Sequence, residues 1–164
     1  MRNKPAVPDR ISGELEHIRK NVPGVRGGIT ASSDGLLIAH DVRGIEPTQV
    51  AALVSAMHAV AARAAVSTQC GQFKEVITRG SEGYLAVYAA GSTAVVAVLG
   101  TADLNLAMLN FHARAMIESI AEHSAQLAGG RSAARTASAS ASASAPEAGQ
   151  RDTGRLPGRR PRGS

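Results

Sequence analysis

The sequence predicts an α/β domain: a five-stranded, mainly antiparallel sheet in the chain order α-β-β-α-β-β-β-α, with a long helix on one face and the terminal helices on the other. Three observations lead there. Apolar residues recur at helical spacing near the start, through the middle and after residue 103. Asp34-Gly35, a strong hairpin turn signal, separates two strand-like runs. Three further strand-like runs are divided only by short glycine-serine turns, so hairpins join them.

Ile11, Leu15, Ile18 and Val22 fall at i, i+4, i+7 and i+11, the stripe of a helix packed on a core. Asp9 is placed to cap its start, and Pro23-Gly24 ends it. Residues 25–31 and 36–42 form the first hairpin. Glu46-Pro47 opens the long helix, since proline suits the first helical position. The helix is expected to run to about Thr68, roughly 30 Å at ~1.5 Å per residue. Strands follow at 73–79, 84–90 and 94–99. The last, AVVAVL, is apolar on both faces, which suits a central strand covered on both sides. A final helix is expected from Asp103 to near Leu127, with Leu106, Leu109, Ala113, Met116 and Ile120 along one side.

Composition divides the chain into a flexible start (1–8), one domain (9–127) and a tail (128–164). The tail is built of Ala, Ser, Gly, Pro and Arg, too poor in apolar surface to offset its ordering entropy, so it is expected to be disordered. Residues 1–127 carry 11 basic and 11 acidic side chains; the tail has seven arginines against Glu147 and Asp152, so the net charge of +5 resides there. Those arginines are dispersed and have no aromatic for base stacking, so specific nucleic-acid binding is not expected. Aromatics make up 2% of the chain, which weighs against a small-molecule sensor, since large ligand pockets are usually lined with them. A single cysteine, Cys70, excludes an internal disulfide and a multi-cysteine zinc site. No signal peptide or transmembrane segment is expected, and a cytoplasmic location follows by default.

Catalytic motifs are absent. There is no GxxxxGK[ST], and GVRGG precedes a strand, which removes the dinucleotide-binding reading. No GxSxG occurs. Ser32 and Ser33 beside Asp34 read as turn residues, and the five histidines show no metal-ligand spacing: His112 and His123 are about 16 Å apart along their helix. No enzyme activity, cofactor or metal is expected.

The long helix is the informative element. At ~100° per residue, Val50, Leu53, Val54, Met57, Ala61 and Ala64 share one side, assigned to the sheet. The other side reads Ala52, Ser55, Ala56, Ala59, Ala62, Arg63 and Val66, with one charge where several are expected. Small residues let a second helix approach closely, so this side is read as the interface of a two-fold dimer. Alanine's helix propensity is the competing explanation. Strand 73–79 alternates polar and apolar residues and reads as a sheet edge; antiparallel pairing of two copies there would add Phe73, Glu75 and Ile77 to the interface. Lys74 and Arg79 also suit the protective charges of an unpaired edge. His58 lies beside the interface and is a candidate for partner contact and for a pH switch, against a plain boundary residue.

Residues 18–39, IRKNVPGVRGGITASSDGLLIA, resemble the opening of a roadblock/LC7 domain: a helix end, PGVxG, a strand, an Asp-Gly turn and a second apolar strand. The resemblance extends over about 9–127; Gly28 stands where the pattern more often has Ala. It implies dimers, homotypic or with a paralogous roadblock domain, formed through the long helix and third strand. It also implies binding to a small Ras-like GTPase in a bacterial signalling module, with effects on GTP hydrolysis, and a sensor-kinase-like partner through which membrane association would come. No shared catalytic residue carries over. Arg43, in the loop before the long helix, is the candidate for contact with a GTPase, against a plain solvated charge. The alternatives are a pure scaffold for a signalling partner, without effect on GTP turnover, and a small-molecule sensor.

Overall fold

The computed structural model describes residues 6–142. The elements are α1 (Val7–Asn21), β1 (Val25–Ser32), β2 (Leu37–His40), α2 (Pro47–Ser67), β3 (Glu75–Arg79), β4 (Gly83–Ala90), β5 (Ala94–Thr101) and α3 (Leu106–Ser142). The sheet order is β2-β1-β5-β4-β3, and every neighbouring pair is antiparallel. β5 is central and β3 lies at an edge, as their hydropathy patterns predict.

Two cores sandwich the sheet. On one face α1 and α3 pack Ile11, Leu15, Ile18, Leu109, Met116 and Ile120 against Ala86, Tyr88, Val96 and Val98. On the other, Ala51 and Val54 of α2 meet Ile29, Ala31, Val87, Val95 and Ala97. The alternation along β1 and β5 dictates this division, since successive strand side chains point to opposite faces. The Asp34-Gly35 turn forms with Gly35 at φ +91°, where a side chain would be strained. Ser32 Oγ accepts from Leu36 N (3.0 Å) and donates to Asp34, closing the hairpin. Gly28 has a packing reason. A Cβ there would come within 2.8 Å of Leu15 Cδ2, so the glycine lets α1 lie close to β1.

Several boundaries depart from expectation, β2 (Leu37–His40) being shorter than expected and β5 (Ala94–Thr101) longer. α1 starts at Val7 with Pro8 in its first turn; Ala6 is the N-cap without a side-chain bond, and Asp9 sits in the first turn as a favourable charge instead of capping. The expected flexible segment 1–8 is thus helical from Val7, and residues 1–5 lie outside the described residues. β3 begins at Glu75, two residues later than expected. α3 begins at Leu106, three residues later than expected, where Asn105 Oδ1 accepts from Met108 N (3.1 Å) and caps the first turn. α3 also continues past Leu127 to Ser142. Alanine is the best helix former and no proline intervenes before Pro146, so the first part of the expected disordered tail is helical. Residues 143–164 lie outside the described residues.

Candidate interaction site

α2 rests on the sheet through Ala51, Val54 and Ser55, all buried, flanked by the partly buried Val50 and Met57. Ser55 Oγ lies 2.9 Å from Ser32 O and 3.0 Å from Ala51 O, so its proton ties the helix to the end of β1. This corrects two expectations. Ser55, assigned to the interface, is 4% exposed and faces the sheet. Leu53, assigned to the sheet, is 64% exposed, and Ala64 is also exposed. The helix is apolar all round, so hydropathy alone could not fix its rotation.

The outward surface is the more apolar for this correction. Leu53 and Val60, both largely exposed, stand seven residues apart on one side with Ala56 and Ala64, and Val66 is 72% exposed on the flank. Of the other residues assigned to the interface, Ala52, Ala56, Ala59 and Arg63 are exposed and Ala62 is half-buried. Val60 was missed, because a valine among alanines at unknown rotation carries no directional signal. By length and composition alone α2 matches a membrane span: the helix is 21 residues long and holds a stretch with a mean hydropathy of 1.5. Alanine's mild hydropathy, summed over a helix with Arg63 as its one charge, produces this value. Yet one side of α2 is packed on the sheet, and only 17% of the apolar stretch is buried. A layer helix with this much bare apolar surface is a candidate for association with another apolar surface.

The site extends to the β3 edge. His58 and Phe73, both half-buried, stack edge-to-face at 5.1 Å, joining α2 to the chain entering β3. Partial burial holds the His58 pKa below its ordinary 6.5. Along β3, Ile77 is half-buried and Glu75 and Arg79 are exposed. Glu75, Ile77 and Arg79 pair with Tyr88, Ala86 and Tyr84 of β4 and so share the α1/α3 side of the sheet. Tyr88 donates to Asn110 Oδ1 (2.6 Å), whose amide donates to Glu75 Oε1 (3.2 Å). The Arg79 guanidinium lies over the Tyr84 ring at 5.6 Å. A cleft of about 1130 Å³ opens beside this edge, with Lys74, Glu75, Arg114 and Glu118 among its lining; its mixed charges and sparse aromatics suit the rim of an interface better than an apolar ligand. Arg43 is exposed in the loop between β2 and α2, separate from these contacts.

The Roadblock/LC7 domain model matches residues 12–100, more than half of the chain. No curated protein matches the sequence. Among solved structures, MglB in a tetrameric arrangement is 19% identical, with 76% of this chain and 94% of that one covered and a TM-score of 0.68. Gliding protein MglB from Thermus thermophilus is 20% identical over 76% and 95%, at 0.65. A Roadblock/LC7 domain from Streptomyces avermitilis is 23% identical over 66% and 92%, at 0.61. At these identities the likeness establishes the fold.

Proposed function

The chain belongs to the Roadblock/LC7 domain family, and from that premise we propose that it is a non-enzymatic dimeric adaptor that binds a small Ras-like GTPase in a bacterial signalling module and modulates GTP hydrolysis. The observation that carries the reading is the outward side of α2, where Leu53, Val60 and Val66 are each more than 60% exposed. Burying an aliphatic side chain of this kind contributes about 1.5–3 kcal/mol, and a two-fold partner buries each of them twice. The tetrameric arrangement of one MglB relative supports self-association in this fold. The adaptor acts by positioning groups of the GTPase, with Arg43 as the side chain offered from an exposed loop.

Single-turnover GTP hydrolysis by a small Ras-like GTPase of the same bacterium tests the reading. Turnover is expected to rise with the wild-type chain and to stay at the basal rate with Val60→Glu. Binding without any change in turnover would make the protein a scaffold, and absence of binding would remove the GTPase from the account.

A further inference from the structure

We infer that β3 selects a second copy of this same chain as its partner, in a single register centred on Ile77 and locked by two reciprocal Glu75–Arg79 pairs. This deepens the dimer reading above and rests on it. The backbone comes first. Lys74 O accepts from Ala89 N (3.4 Å), and Gly80 N donates to Gly83 O (2.8 Å), so the even-numbered residues turn their polar backbone groups toward β4. Glu75, Ile77 and Arg79 therefore present free N–H and C=O groups on the open edge, a template for another strand.

Both subunits keep α2 on the same side of a joined sheet only if the two-fold axis stands perpendicular to it. Facing side chains then point to the same side, so the axis passes beside one residue and its own copy. Centring on Ile77 pairs all five residues of the strand. It sets Ile77 against the partner's Ile77 and Glu75 against the partner's Arg79, twice by symmetry. Moving the centre to Val76 places Glu75 opposite the partner's Ile77; moving it to Thr78 places Glu75 opposite the partner's Ser81. Both shifts lose backbone pairs within the strand, and neither gives Glu75 a cation.

The charged side chains are already held for this role. Asn110 fixes Glu75, and the Tyr84 ring supports Arg79, both on the α1/α3 side of the strand. Among the described residues the ion pairs within the chain involve Arg19, Lys20, Glu16 and Asp41, and neither Glu75 nor Arg79 takes part. Val76 and Thr78 lie on the α2 side, where their pairing presents no charge beneath the α2 contact. A paralogue lacking the matching acid and base at these positions pairs less well, so the edge encodes homotypic choice.

Sedimentation equilibrium and native mass spectrometry on the full chain test this. Glu75→Arg and Arg79→Glu each place like charges opposite one another twice, and each is expected to weaken self-association about tenfold. Mixing the two single variants restores both opposite-charge pairs, so heterodimers are expected to form in clear excess over either homodimer, the excess shrinking in high salt. The double variant, Glu75→Arg with Arg79→Glu, is expected to recover wild-type affinity. Recovery on mixing also shows that the single variants are folded. A dimeric wild type whose single variants associate unchanged, or mix statistically, overturns the register while leaving the dimer in place; a monomeric wild type overturns both.

Discussion

α1 and α2 do the same job on opposite faces of one sheet, yet they are built differently. α1 buries Ile11, Leu15 and Ile18 and turns Glu14, Glu16, Arg19 and Lys20 away from the core. Lys20 and Arg19 pair with Glu16, and Arg19 reaches Asp41 at 2.6 Å to tie the helix to the loop after β2. α2 buries Ala51, Val54 and Ser55 and turns Leu53, Ala56 and Val60 outward. The first helix is finished by water on its outer side. The second is unfinished, and its outer side has the chemistry of an inner one.

The contrast can be broken most forcefully at Leu15. Leu15→Ala leaves a void against β1 where Gly28 has no side chain to fill it, and is expected to lower unfolding stability by about 3 kcal/mol in urea denaturation. Val60→Glu should act differently. It leaves the circular dichroism spectrum unchanged and converts the dimer to monomer by light scattering, because the side chain stands 71% exposed within one copy. If Val60→Glu instead unfolds the chain, α2 is held by its own domain in the manner of α1, and the contrast fails.

Smaller effects sharpen the picture. Thr30 is fully buried in β1, on the face covered by α1 and α3, and its Oγ1 has no hydrogen-bond partner. Thr30→Val removes the orphaned hydroxyl at equal shape and is expected to raise stability by about 1 kcal/mol. At the α2–β3 junction, burial makes folded His58 a weaker proton acceptor than the unfolded chain. The unfolded state therefore binds more protons as pH falls through 6.5, and His58 draws stability down below that pH while contributing no slope above it. An NMR titration of the His58 ring should give a midpoint below 6.5, and His58→Gln should remove that part of the acid-side loss.

The same contrast explains what was legible in the sequence. The rotation of α1 could be read because its charged side names the direction of water. The order of elements, the central place of β5 and the edge place of β3 followed from turn chemistry and from how many faces of each strand are apolar. The rotation of α2 could not be read: with two apolar sides, Leu53, Ala64 and Ser55 were assigned to the wrong ones, and the burial of Ala51 and Val54 with the bond from Ser55 to Ser32 O reveals the direction. Its unbroken apolar character was nonetheless visible in the sequence, and it singles out the helix that the structure leaves bare on one side. The extension of α3 to Ser142 was hidden for another reason. Beyond Leu127 the sequence through Ser142 is mainly Ala, Ser, Gly and Arg with no apolar periodicity, and alanine propensity favours continuing the helix.

Sedimentation equilibrium of the wild-type full chain tests the proposed α2 interface most directly. The mass expected at micromolar concentration is that of two chains, falling to one for Val60→Glu. A wild-type chain that stays at a single-chain mass as its concentration is raised would mean that Leu53, Val60 and Val66 face water, and the adaptor account would not survive it.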